Sequence, residues 1–121
     1  MKEKTKIDTL RKRIDFKKIY KEGKYIRGKY LDIYMLVKDG GDHSIRVGFN
    51  ISKKIGNAVK RNRIRRILKE ILIKINKEYN TSIDIIFVAR EGICNISFWD
   101  LKDHIEKIFT PSLKQAESKT F

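Results

Sequence analysis

Asn57-Ala58-Val59-Lys60-Arg61-Asn62-Arg63-Ile64-Arg65-Arg66-Ile67-Leu68-Lys69-Glu70-Ile71-Leu72-Ile73-Lys74-Ile75 sets the architecture of this 121-residue chain. With Asn57 as the N-cap of a helix from Ala58 to about Tyr79, Ile64, Ile67, Leu68, Ile71, Leu72 and Ile75 share one face at i, i+3, i+4, i+7 spacing. Asn62, Arg63, Arg66 and Lys69 project from the opposite side, and Arg61 and Arg65 run along one border. Including the preceding loop, eight basic residues (Lys53, Lys54, Lys60, Arg61, Arg63, Arg65, Arg66 and Lys69) occur here with no acidic residue among them. Such a helix is fixed to a core by its apolar face and offers guanidinium forks to a polyanion from the other.

The flanking segments supply that core. From Ile26 to Val37 the chain alternates as a strand. Leu31, Ile33, Met35 and Val37 form a uniformly apolar face, and Tyr30, Asp32, Tyr34 and Leu36 a mixed one. Gly28 can split this strand in two, giving three or four strands in all. Lys38 to Asp42, with two glycines, reads as a turn, and Ser44 to Ile51 as a strand pairing back in a hairpin. Nearer the N-terminus, Asp15 caps a short helix through Glu22 that Gly23 ends, with Phe16, Ile19 and Tyr20 on one side. Residues 1–12 read as a flexible basic arm with Ile7 and Leu10 as possible anchors.

Beyond the long helix, Asn80-Thr81-Ser82 makes a break and Ile83 to Ala89 a buried strand. Ser97 to Asp100 resembles a capping box, with Asp in the usual Glu position. Leu101, Ile105, Ile108 and Phe109 form the stripe of a last helix that stops near Pro111, and residues 112–121 form a frayed tail. The order helix, strand, strand, long helix, strand, helix predicts one α+β domain over residues 1–121, a two-layer sandwich with its core at about 13–110.

Charge is concentrated in two places. The chain carries 29 basic and 15 acidic residues, a net +14. Residues 1–30 hold 12 basic and 4 acidic residues, and 53–69 hold eight basic and none acidic, so the remainder is slightly negative. This split is the footprint expected of a nucleic-acid-binding surface rather than of uniform supercharging. A single cysteine, Cys94, excludes an internal disulfide and fits a reducing, cytoplasmic setting. No apolar run approaches the length of a membrane span, and no secretory signal opens the chain. Cys94, His43 and His104 do not make a metal-ligand set, so no protein-bound metal and no catalytic side chain are expected.

The run Arg46-Val47-Gly48-Phe49-Asn50-Ile51-Ser52-Lys53-Lys54-Ile55-Gly56-Asn57-Ala58-Val59-Lys60-Arg61-Asn62-Arg63-Ile64-Arg65-Arg66 closely resembles the signature of the bacterial ribonuclease P protein subunit, centred on Arg61-Asn62-Arg63. The resemblance extends to Asp15-Phe16-Lys17-Lys18-Ile19-Tyr20-Lys21-Glu22-Gly23, to Tyr34 and to Val88-Ala89-Arg90, covering about 95 residues. It implies a protein cofactor for a catalytic RNA that, with magnesium ions, removes the 5′ leader from precursor tRNA. The implied partners are that RNA and precursor tRNA, with one protein and one RNA as the minimal assembly and no membrane. It also implies a left-handed crossover around the basic helix, against the right-handed default. By resemblance, Phe16, Tyr20 and Tyr34 line a cleft for the single-stranded leader. Position 20 is often Phe in the family, so the Tyr20 hydroxyl is a departure. Arg61, Asn62, Arg63, Arg65 and Arg66, with Lys53, Lys54, Lys60 and Lys69, form the basic RNA-binding surface.

The chemistry of these side chains suits those roles. Aromatic rings stack on unpaired bases, guanidinium forks take phosphates in pairs, and Asn62 offers both a donor and an acceptor. A structural RNA-binding protein would account for the charge but not for the 46–66 run. A self-sufficient metal-dependent nuclease would need an inward carboxylate cluster, for which Asp32 and Asp84 are the plausible members. Trp99 reads as a packing residue.

Overall fold

A computed structural model describes residues 6–38, 44–75 and 82–118 of the chain. The elements are β1 (Lys6–Thr9), α1 (Arg13–Glu22), β2 (Lys24–Ile26), β3 (Leu31–Lys38), β4 (Ser44–Asn50), α2 (Ala58–Ile75), β5 (Ser82–Ala89) and α3 (Phe98–Ser118), with a 3-10 turn at Ile93–Asn95. The strands form one five-stranded sheet in the order β1-β4-β5-β3-β2.

β5 occupies the centre because it is the strand apolar on both faces. Ile83, Ile85 and Phe87 face one side and Ile86 the other, all essentially without solvent exposure. It pairs in parallel with β4 and antiparallel with β3. The hairpin expected between β3 and β4 is therefore absent. Two strand spacings, about 10 Å, separate them, which a connection of a few residues spans without forcing adjacency. The turn proposed at Lys38 to Asp42 lies almost wholly outside the described residues, as do His43, the break at Asn80 and Thr81, and the helix extension to Tyr79.

The arm expected at 1–12 contributes a strand. β1 runs parallel to β4, with Ile7 opposite Ile45 and Thr9 opposite Val47, and Leu10 follows it into a buried position. Its backbone groups gain ladder partners on β4, which outweighs its polar composition. At the opposite edge, Gly28 does interrupt the long aromatic strand. β2 turns back on β3 so that Tyr25 lies opposite Tyr34.

Helices lie on both faces. α2 sends Ile64, Leu68, Ile71, Leu72 and Ile75 into the main core with β3, β4 and β5, and α3 adds Leu101, Ile105 and Phe109. That pair and the sheet are the two layers expected, and α1 adds a partial third on the other face. There Ile19 packs with Leu10 and Ile86, beside Phe16, Tyr34 and Val88.

Two helix ends differ from the sequence expectation. α1 begins at Arg13, with Lys12 in the N-cap place and making no side-chain cap. Asp15 sits in the first turn, where its charge suits the helix dipole and reaches Arg46 across the sheet. α3 passes through Pro111 and stays helical to Ser118. Proline forfeits one backbone hydrogen bond there without ending the helix.

Candidate nucleic-acid interface

α2 begins as the sequence predicts. The Lys60 N–H donates to Asn57 Oδ1 at 2.9 Å, and the Arg61 N–H to the Asn57 carbonyl at 3.0 Å. With that start fixed and the apolar stripe buried, the basic side chains fall where the 3.6-residue period puts them. Asn62, Arg63 and Arg66 are exposed, Arg61 and Arg65 are half-buried along the border, and Lys69 is also half-buried. Lys53, Lys54 and Lys60 are exposed in the approach and first turn. Asn62 is less free than expected, because its Oδ1 accepts a hydrogen bond from Arg65 Nη1 at 2.6 Å. Its amide N–H groups are left for a ligand, and the Arg65 guanidinium is oriented.

Among the described residues, none of the eight cations of 53–69 has a carboxylate partner. The cations of the sheet are different. Arg46 on β4 forks onto Asp84 on β5, with Nε to Oδ1 at 2.8 Å and Nη2 to Oδ2 at 2.6 Å. Lys38 on β3 reaches the same carboxylate at 3.0 Å, and Asp15 of α1 lies 3.7 Å from Arg46. Burial pushes the Asp84 carboxyl up, but the bonds from Arg46 and Lys38 outweigh it and hold it below the usual carboxylate range. The Asp84 hydrogen bond in turn raises the Arg46 guanidinium.

Asp32 follows the same logic. Burial opposes its ionisation, while the Gly28 N–H at 3.2 Å, Arg90 at 3.0 and 3.2 Å and the Tyr25 hydroxyl at 3.0 Å favour it, with a net lowering. The two carboxylates are four residues apart along the β3–β5 register, roughly 13 Å, and cannot share an ion. Among the described residues, no group of three or more His, Cys, Asp or Glu is placed to hold a metal.

Phe16, Tyr20 and Tyr34 come together between α1 and the sheet. Ring centroids are 6.3 Å apart for Phe16 and Tyr20, and 4.7 Å for Tyr20 and Tyr34, the latter edge to face. Gly48 forms the floor. A Cβ there would stand 2.5 Å from Phe16 Cζ, so only glycine lets the ring settle against β4. The Tyr20 hydroxyl accepts a hydrogen bond from Asn50 Nδ2 at 3.2 Å. This ties α1 to the end of β4, three residues before the Lys53-Lys54 loop. The trough and the basic helix are thus joined by one short connection.

Sequence reasoning missed Gly48, Asn50, the Arg46–Asp84 fork and Tyr25, which extends the row of rings with its centroid 5.0 Å from that of Tyr34. The interruption at Gly28 was the available signal for Tyr25, since a reversal there folds position 25 back toward 34. Trp99 is not a packing residue. It is 69% exposed and touches Phe98 edge to face at 5.2 Å. His104 is half-buried against Tyr30, with Nε2 enclosed and without a hydrogen-bond partner. Burial and the nearby Lys29 lower its pKa, against a weaker upward pull from Asp103. The free Cys94 thiol donates to the Ile55 carbonyl at 3.4 Å.

A mixed sheet with a row of half-buried to exposed rings between it and α1, and a helix whose guanidinium groups have no carboxylate partner among the described residues, describes a small RNA-binding α+β protein. The chain belongs to the ribonuclease P protein family, whose model, Ribonuclease P, matches residues 5–112. The "Ribonuclease P protein component" of Clostridioides difficile is 42% identical over 100 residues, covering 82% of this chain and 86% of that one. The solved Staphylococcus aureus RNase P protein is 31% identical and superposes with a TM-score of 0.74, over 86% of this chain and 94% of that one. The RNase P protein from Thermotoga maritima, 25% identical, gives a TM-score of 0.71 over 83% of this chain and 93% of that one.

Proposed function

We propose that this chain is the protein component of ribonuclease P, assisting a catalytic RNA in endonucleolytic removal of the 5′ leader from precursor tRNA. The exposed face of α2 and the Lys53-Lys54 loop hold RNA phosphates, and the trough of Phe16, Tyr20 and Tyr34 holds the unpaired leader. The observation that carries this reading is the division of cations. Arg46, Lys38 and Arg90, which come from the sheet, are engaged by Asp84 and Asp32, whereas the cations of 53–69 have no carboxylate partner among the described residues. Free cations release counterions and bind phosphates, while rings between a helix and a sheet accept bases irrespective of sequence.

Phosphodiester hydrolysis is assigned to the RNA and its magnesium ions. Two facts support that assignment: both strand carboxylates are engaged by guanidinium groups, and they stand too far apart for joint coordination. One protein with one RNA, acting in the cytoplasm, is the assembly inferred.

Reconstitution tests the division of labour. The purified chain alone should leave a 5′-extended tRNA intact. Added to the candidate catalytic RNA, it should raise precursor affinity and turnover at low magnesium. Cleavage by the RNA-free protein would overturn the reading, as would an RNA whose activity the protein leaves unchanged.

A further inference from the structure

Tyr25 stands outside the set of rings that the family resemblance marks. It lies on the short edge strand β2, directly opposite Tyr34 on β3, so both side chains rise from the same sheet face. Their ring centroids are 5.0 Å apart and the planes are inclined by 44°. α1 ends at Glu22, and Tyr25 remains 47% exposed.

An exposed tyrosine at a sheet edge would ordinarily sample several rotamers. This one is held at two points, with its ring against Tyr34 and its hydroxyl donating to Asp32 Oδ2 at 3.0 Å. Asp32 is itself fixed by the paired bonds from Arg90 and by the Gly28 N–H. The anchor therefore reaches from the edge strand through β3 to the end of β5. A ring fixed in this way presents its open face with little rotamer entropy left to lose when a flat ligand docks.

Phe16, Tyr20, Tyr34 and Tyr25 thus form a continuous series, each ring touching the next. We infer that Tyr25 is a further stacking platform, which lets the trough take one more unpaired nucleobase of single-stranded RNA than its other three rings accommodate. Asp32 and Arg90 are its positioning residues. The inference rests on the trough being the leader site, and it lengthens that site at the β2 edge.

The test is equilibrium binding by the holoenzyme, reconstituted with the RNA subunit, to precursor tRNAs whose leaders grow one nucleotide at a time. For the wild type, affinity should climb with each nucleotide until the trough is filled. With Tyr25→Ala the climb should stop one nucleotide earlier, at a cost of roughly five- to tenfold on the longer leaders. Mature tRNA and the shortest leaders should bind unchanged, and Tyr25→Phe, which keeps the ring against Tyr34 but loses the hydroxyl held by Asp32, should restore the last step in part. A Tyr25→Ala profile that follows the wild type step for step would overturn the inference while leaving the leader trough intact. So would an equal loss on every substrate, mature tRNA included, which would mark Tyr25 as structural. If the wild type shows no dependence on leader length and Tyr34→Ala weakens mature and precursor tRNA alike, the leader-site reading itself fails.

Discussion

Asp84 is the one charge placed in the interior of the most apolar strand, with a residue exposure of 3%. It is tolerated because its register neighbour on β4 is Arg46 and because Lys38 reaches it from β3. Removing Arg46 leaves a desolvated carboxylate with Lys38 as its remaining cation. Arg46→Ala should therefore lower stability by about 2 kcal/mol, short of the fully buried case because the guanidinium is about one-third exposed. Urea denaturation checks this, and an unchanged midpoint would remove the fork from the account of the fold. The arginines of α2, without a carboxylate partner among the described residues, should behave differently. Arg61→Ala or Arg63→Ala should leave the urea midpoint nearly unmoved and weaken RNA binding. The log–log salt dependence should become shallower by roughly 0.7–0.9 for each phosphate that the variant no longer neutralises. Salt titrations with parallel slopes for wild type and variant would reduce these side chains to a solvated surface.

Elements differ in how much of them one segment of sequence can specify. α2 depends on its own residues, with Asn57 closing the first turn and five aliphatic side chains reaching the core. Asn57→Ala should cost about 1 kcal/mol by thermal or urea unfolding, the usual loss for a capping side chain. No measurable loss would mean that packing against the sheet holds the start of α2 without the cap. This helix, its buried stripe and its basic face were legible because cap and period are local. The pairing partners of the strands were not. Nothing near Leu31 or Ser44 states that β5, made some forty residues later, will lie between β3 and β4. Polar Lys6 to Thr9 carries no periodicity to mark it as a strand, and its place depends on β4 offering an edge. Phe16, Tyr20 and Tyr34 were named through the family motif, and the fold brings their rings together. Tyr25 became visible only with the register of β2 on β3.

Across the whole molecule, stability should follow pH in two stages. His104 has its folded pKa lowered by burial and Lys29, so it favours folding in its neutral form. Its contribution is complete above the ordinary value of 6.5 and declines as pH falls below that, because the unfolded chain takes up the proton first. Asp32 and Asp84 have folded pKa values below their ordinary 3.8, so their contribution holds above that value and disappears as pH drops through the folded ones. Unfolding midpoints measured across the acid range should show a shallow early decline, absent in His104→Phe, followed by a steeper fall. A wild-type midpoint constant from neutrality to pH 5 would exclude the histidine contribution.

The sheet order β1-β4-β5-β3-β2 has a consequence for synthesis on the ribosome. The last strand to be translated is the keystone, since β1–β4 on one side and β2–β3 on the other have no pairing with each other until residues 82–89 arrive. A nascent chain halted before Ser82 has already exposed every arginine of its cationic helix, yet lacks Ile86, the seat on which α1 rests. Unfinished copies can therefore adhere to polyanions by charge alone, whereas the trough between α1 and the sheet is assembled only once β5 is in place.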